Sequence, residues 1–299
     1  MAATPRLSFT SPPALTPAYV KILLSRKPRQ VEGPVARIDA ALRGFRIDRK
    51  QLARYRQICG ADGNADFLPI AFPHVMASPL HMALLTSESF PLNPMGIVHV
   101  RNRIVQKRPV GPEETGDLHV SIEGGGEALR GQELILQTHL QIAAETVWSE
   151  TSTLLVRKVR QKGFRPNGPS AETFRLPPRE VARESSFSVL AGTGRRYARV
   201  SGDFNPIHLA DIWARLFGFK SAVAHGMWSL ARCAAALDPG SFKSGCTMDV
   251  AFKLPISFPA AVTMESWSSA GGEAFVLRES QGARAHLLGK VVPGANLHS

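Results

Sequence analysis

From Tyr197 to Asp211 the chain reads "YARVSGDFNPIHLAD". Asp203 and His208 stand on either side of the pair Asn205–Pro206, and Gly202 immediately precedes the carboxylate. Asn is a favoured N-cap and Pro fits the first helical position after it, so a turn or short helix starts at Pro206. That turn fixes the backbone between Asp203 and His208. Gly202 lets the chain bend sharply just ahead of it. Both side chains can then point into one cavity. The plain structural alternative for the same residues is an Asx-turn followed by a capped helix.

Downstream lies "AHGMWSLA", with His225 and Gly226. Gly226 is expected to open a buried helix. The first N–H groups of a helix are unpaired and carry partial positive charge, so they can bind an oxygen on which negative charge develops. Close packing is the other use of a glycine there. His225 reads first as a buried or capping histidine and second as a support for the site.

Around these motifs the chain repeats itself. Strand-like alternation places Leu134, Leu136, Leu140 and Ile142 on one face of "ELILQTHLQI". It does the same for Met248, Val250, Phe252 and Leu254 in "MDVAFKLPI". "GGG" at Gly124–Gly126 predicts a hairpin turn. One apolar helix is predicted in each block, over Phe72–Leu85 and Gly226–Leu237, and Pro79 predicts a kink or early stop in the first. "YRQICG" (Tyr55–Gly60) and "YARVSG" (Tyr197–Gly202) share their Tyr-to-Gly spacing, and each precedes the central helix of its block. The reading is an α+β unit used twice. It gives a basic N-terminal tail over 1–30, a first unit over 31–156, a Pro- and Gly-containing basic linker over 157–180, and a second unit over 181–292.

The segment "YARVSGDFNPIHLAD", with "AHGM" following at the family's interval, closely resembles the signature of the MaoC-like, or (R)-specific enoyl-CoA hydratase, family. The resemblance is strong from Tyr197 to about Leu237 and looser over the rest, since some members carry two tandem hot-dog units. It implies a double hot-dog fold, in which antiparallel sheet wraps two central helices. It implies that Asp203 and His208 are the catalytic pair and that Asn205 is a local support. The Gly226 amide is then the oxyanion donor. Ser201, Gly202 and His225 are read as supporting residues. The implied reaction is reversible hydration of a trans-2-enoyl thioester to the (R)-3-hydroxyacyl thioester in fatty acid metabolism. Coenzyme A or an acyl carrier protein is the substrate's handle, and neither metal nor redox cofactor is implied. The first unit has no matching Asp–His pair and is expected to accommodate the acyl chain.

Composition narrows the rest. The 299 residues carry a formal net charge of +12, which favours an anionic partner. Arg195 and Arg196 are candidate phosphate contacts. The run "RKVRQKGFR" lacks any nucleic-acid module around it, and "GTGRRY" lacks the third glycine of a dinucleotide fingerprint. His74 and His81 lack a third metal ligand at suitable spacing, and His99 alternates with Arg101 and Arg103 as if on a solvent face. Three scattered cysteines suit a reducing, cytoplasmic location, and no apolar run is long enough to cross a bilayer. The acid-free first thirty-one residues have the composition of a transit peptide, but a loosely held tail is the expectation. A homodimer is open. Two rivals remain: a hot-dog acyl thioesterase, disfavoured because "GMWSLARCAAAL" has no carboxylate, and a non-catalytic acyl-binding protein, which has no need of both Asp203 and His208.

Overall fold

The structure is a computed structural model and describes residues 4–61, 66–128, 131–157, 174–179, 183–269 and 271–294. Most of the expected linker, 158–173 and 180, lies outside those residues.

The first unit contains β2 (Ile38–Phe45), α2 (Arg49–Cys59), α3 (Phe72–Leu85), β3 (Ile97–Gln106), β4 (Gly116–Ala128), β5 (Gly131–Ile142) and β6 (Glu145–Arg157). It is preceded by β1 (Arg6–Phe9) and α1 (Leu15–Leu23). The second contains β7 (Arg183–Val189), α4 (Thr193–Ser201), a 3-10 turn (Pro206–His208) and α5 (Asp211–Leu216). It continues with α6 (Gly226–Ala236), a second 3-10 turn (Pro239–Phe242), β8 (Cys246–Phe252), β9 (Ala260–Ser269), β10 (Gly272–Glu279) and β11 (Ala285–Pro293).

Among the described residues eleven strands join one sheet in the order β1-β2-β4-β5-β6-β3-β8-β11-β10-β9-β7. Counted within each unit, the order is first, third, fourth, fifth, second, and the two units meet as mirror copies at β3 and β8. These pair antiparallel, with Asn102 opposite Val250 and Ile104 opposite Met248. Internal duplication is therefore visible in the topology itself. The chain builds the double hot-dog arrangement, with α3 and α6 as the wrapped helices.

Alternation sets the sheet's inner face. Along β5, Leu134, Leu136, Thr138 and Leu140 are buried, and along β8 so are Met248 and Val250. In α3, Phe72, Val75, Ala77, Leu80 and Leu84 are buried, so the helix contributes its apolar side chains to the common core. Each such Leu or Phe contributes about 1.5–3 kcal/mol by leaving water.

The Tyr–Gly repeat proves to be two helix ends. α2 stops at Gly60 (φ 63°) and α4 at Gly202 (φ 75°), each a left-handed cap whose N–H returns to a helix carbonyl. Tyr55 and Tyr197 lie with ring centroids 6.3 Å apart. After Gly60 the chain soon enters α3. After Gly202 it makes the 3-10 turn and α5 before reaching α6. This added segment carries the Asp–His motif.

Three expectations need correction. Pro79 does not end α3, which continues to Leu85 because the helix is held on several sides by the core. The three glycines do not form the hairpin turn; β4 passes through them to Ala128. Gly124 is required instead by a crossing chain, since a Cβ there would stand 2.5 Å from Val35 N, and its own N–H donates to Val35 O at 2.7 Å. Nor is the N-terminus loosely held. β1 pairs parallel with β2, and α1 buries Ala18 and Ile22.

Candidate active site

The motif region is a chain of short-range hydrogen bonds. The Asp203 N–H donates to Ser201 Oγ at 3.2 Å, and the Asn205 N–H donates to Asp203 Oδ1 at 3.1 Å. Asn205 Oδ1 accepts from the Ile207 N–H at 3.4 Å, as the N-cap reading predicts. The His208 N–H bonds back to Asn205 O at 3.0 Å. The turn thus fixes both side chains, as the spacing requires.

His208 Nδ1 lies 2.8 Å from Val223 O. A carbonyl only accepts, so Nδ1 carries the proton and Nε2 of the neutral ring keeps its lone pair. His225 stacks on His208 at 3.8 Å, and its Nε2–H donates to the Asp203 carbonyl at 3.0 Å. His225 is therefore a buried support of the loop. Asp203 sits deep in the fold, yet 46% of its side chain faces the cavity.

Electrostatics divides the roles. Burial alone would push the Asp203 carboxyl up, but His225, His208 and the Asn205 N–H outweigh it and hold it below its ordinary range. Burial holds His208 below the usual imidazole value, against the pull of Asp203 and Val223 O. His225 is pushed down to about 3 by burial and then by His208. Near neutral pH the site therefore holds one carboxylate beside a neutral imidazole with a free acceptor nitrogen.

Asp203, His208 and His225 offer ligand atoms within 4.8 Å of one another. The donor set does not fit a metal. His225 Nε2 is committed to a carbonyl and its Nδ1 is sealed from the cavity, which leaves two ligands where a stable centre needs three or more.

These residues line a cavity of about 1840 Å³ that both units enclose. Gly226 also lines it, as the first residue of α6. A Cβ on Gly226 would approach the Phe252 ring to 3.1 Å, so close packing and a free helix-start N–H go together there. Arg195 and Arg196 are not brought to the cavity. Both are exposed on α4, and Arg195 donates to Leu209 O at 3.0 Å. Arg157 and Lys253 line the cavity instead.

The first unit contributes more than space. His74, Ser78 and His99 line the same cavity, so His99 is not on a solvent face. His74 and Ser78 have a sequence signal: "PHVM" (Pro73–Met76) falls in the first turn of α3, and the similar "AHGM" (Ala224–Met227) runs across the start of α6. In that alignment His74 matches His225, Ser78 matches Ser229, and Val75 stands where the second unit has Gly226.

Tyr19 of α1 was not foreseen. Its hydroxyl donates to Gly202 O at 2.9 Å and accepts from the Phe204 N–H at 2.7 Å, bracketing Asp203 on both sides. Tyr19→Phe keeps the ring edge against Phe204 but removes both hydrogen bonds, at a net cost of about 0.5–1.5 kcal/mol each. We expect kcat to fall about tenfold, with a smaller relative change in KM. A kcat equal to that of the parent protein would show that α1 does not hold the loop.

The fold defines a protein of the double hot-dog class, and comparison with known proteins places it further. Residues 174–284 match the MaoC like domain. The chain is 30% identical over 246 residues to 3-hydroxyacyl-thioester dehydratase X of Mycobacterium tuberculosis, covering 82% of this chain and 85% of that protein. The crystal structure of HtdX from Mycobacterium tuberculosis superposes with a TM-score of 0.71 at 28% identity, over 85% of this chain and 99% of that one. A MaoC-like dehydratase from Phytophthora capsici shares the fold, with a TM-score of 0.63 at 18% identity over 93% and 98% of the two chains. The chain belongs to the MaoC-like dehydratase family. Among the described residues no helix is long and apolar enough to cross a membrane.

Proposed function

We propose that this protein interconverts trans-2-enoyl and (R)-3-hydroxyacyl thioesters in fatty acid metabolism. The observation that carries the reading is the pairing of an ionised Asp203 with a neutral His208. The bare Nε2 of His208 belongs to a residue that lines the same cavity as the start of α6.

In hydration, a water is held between the Asp203 carboxylate and His208 Nε2. One of these groups takes its proton as the oxygen bonds to C3. The C2–C3 π pair moves toward the thioester, and the carbonyl oxygen gains charge against the Gly226 N–H. The proton is returned to C2, so water adds across the double bond and both side chains regain their starting states. Dehydration runs the same steps backwards. No metal or redox cofactor has a part. The handle is coenzyme A or an acyl carrier protein, met by Arg157 and Lys253 at the cavity wall. One chain already contains the β3–β8 junction between units, so a homodimer is not needed to form it. Three buried free cysteines suit a cytoplasmic setting.

The thioesterase alternative lacks a carboxylate in α6, whose sequence is "GMWSLARCAAA". Crotonyl-CoA separates the readings. Loss of the conjugated enoyl absorbance on adding protein is expected. Release of free thiol without that loss would replace the hydratase reading by the thioesterase one.

A further inference from the structure

Glu150 on β6 is a fully buried carboxylate behind His74, a residue of the cavity wall, and none of its side chain is exposed. Its Oε2 lies 2.7 Å from His74 Nδ1, and its Oε1 accepts from Asn102 Nδ2 at 2.6 Å. Asn102 also donates to Ser152 Oγ at 3.2 Å, which fixes its amide. Burial would push the Glu150 carboxyl up, but His74 and Asn102 outweigh it and bring it down to about 2. Burial likewise pulls His74 down, and Glu150 reverses this, so His74 ends above the ordinary imidazole value. The pair is ionic.

Stability does not account for such a pair. Apolar residues of similar volume usually serve a core as well or better. What the pair does supply is an imidazole ring held in one orientation and biased toward its protonated form at the cavity. With Nδ1–H given to Glu150, the imidazolium's Nε2–H lies on the other side of the ring. His74 lines the cavity, and 18% of its side chain is exposed.

We propose that His74 is a positioning residue contributed by the first unit, the electrostatic partner of Asp203 across the boundary between the two units. The inference rests on Asp203 being the catalytic carboxylate. The groups that face His74 leave it as the cation. His81, beside it on α3 at 5.0 Å, is pushed down to about 3 by burial and by His74. His99 on β3, stacked at 6.3 Å, is pushed down to about 4 by the same two causes. Glu150 on β6 and Asp203 are the carboxylates around it, and Glu150 touches its ring. Ser78, one turn along α3 from His74, has its Oγ 3.3 Å from where a Cβ on Gly202 would stand. This face of α3 therefore lies against the residue before Asp203, in the cavity that both line. Duplication explains the placement. In the alignment of "PHVM" with "AHGM" His74 matches His225, although His225 caps α6 from outside and His74 lies within the first turn of α3. His225 holds the Asp203 backbone from the second unit, while His74 supplies charge from the first.

The decisive test uses reciprocity: if His74 favours ionised Asp203, Asp203 must favour protonated His74 equally. Titration of the histidine ring protons by NMR, on the full chain, reads this without any activity. In Asp203→Asn the His74 midpoint should fall by about half a pH unit or more, although its bond to Glu150 is untouched. Glu150→Gln should lower it further. A second arm follows kcat/KM for crotonyl-CoA against pH. In His74→Gln the acid limb should move up by about half a pH unit. At a pH on that limb this is a loss of about threefold relative to the variant's own value at pH 7.5. A His74 midpoint unmoved in Asp203→Asn, or an acid limb unmoved in His74→Gln, would overturn the proposal. If the parent protein turns over no enoyl thioester, the functional reading fails, and the NMR arm still decides the coupling.

Discussion

Asp203→Asn and His208→Gln should each lower crotonyl-CoA hydration by about 10³-fold, within the range for removal of a positioned acid or base. The fold should survive both. Asn at 203 can still accept the Asn205 N–H now held at 3.1 Å, and Gln at 208 can still donate toward Val223 O. Neither change removes apolar contact of consequence, so melting temperatures should move by only a few degrees. The double variant should be little worse than either single, because groups acting on one proton transfer are strongly non-additive. The pH profile carries the same signature. Asp203 must be ionised and its carboxyl is held low, so activity is lost only as pH falls through that lowered value. His208 must be unprotonated and is also held low, so its contribution to the loss lies on the same acid side. Asp203 also adds to stability above its unfolded pKa, and that part disappears as pH falls through the folded one. A structural role predicts the opposite pattern, with melting temperature lowered and activity lost only with folded protein. A His208→Gln variant that kept most of its kcat would remove the catalytic assignment.

What the chain discloses locally it discloses well. Asn205 caps, Pro206 starts the turn, Gly202 ends α4 in a left-handed conformation, and those facts sit within a few residues of one another. The two central helices and the alternating strands are likewise short-range signals. The failures are all long-range. Tyr19 reaches its partners across nearly two hundred residues, and nothing in "SPPALTPAYVKIL" points to Gly202. Arg195 and Arg196 look free in sequence, yet α4 turns them to the surface away from the cavity. His99 fails for a subtler reason. Strict alternation puts it with Arg101 and Arg103, but the ladder with β6 slips between His99 and Arg101, where Val100 is an extra residue. A bulge of this kind reverses the facing of everything on one side of it, so His99 turns inward toward His74 and Phe252. The three glycines mislead in the same way, because the partner that demands Gly124 is the segment near Val35.

Replacing Gly226 by Pro should cost about 10²- to 10³-fold in kcat relative to Gly226→Ala, the range for loss of one oxyanion donor. The comparison isolates a single N–H. Residue 226 is the first of α6, where the N–H has no acceptor within the helix and where Pro is tolerated. The residue before it is already suited to a proline, since His225 has φ −65° and ψ 135°. Both substitutions bring the same Cβ to about 3.1 Å from the Phe252 ring, which must give way by a few tenths of an ångström. That cost is common to the pair and cancels in the ratio. The alanine variant keeps the donor and should retain a measurable fraction of the parent's rate, while proline removes the donor and leaves Asp203 and His208 in place. If the thioester oxygen binds elsewhere, the two variants will have similar kcat values, and the helix start is then only a packing contact with Phe252. A proline variant that unfolds would be detected by its melting temperature before its rate is read. In that event N-methylation of the same peptide bond, introduced by semisynthesis on glycine, removes the hydrogen without adding a Cβ and answers the same question.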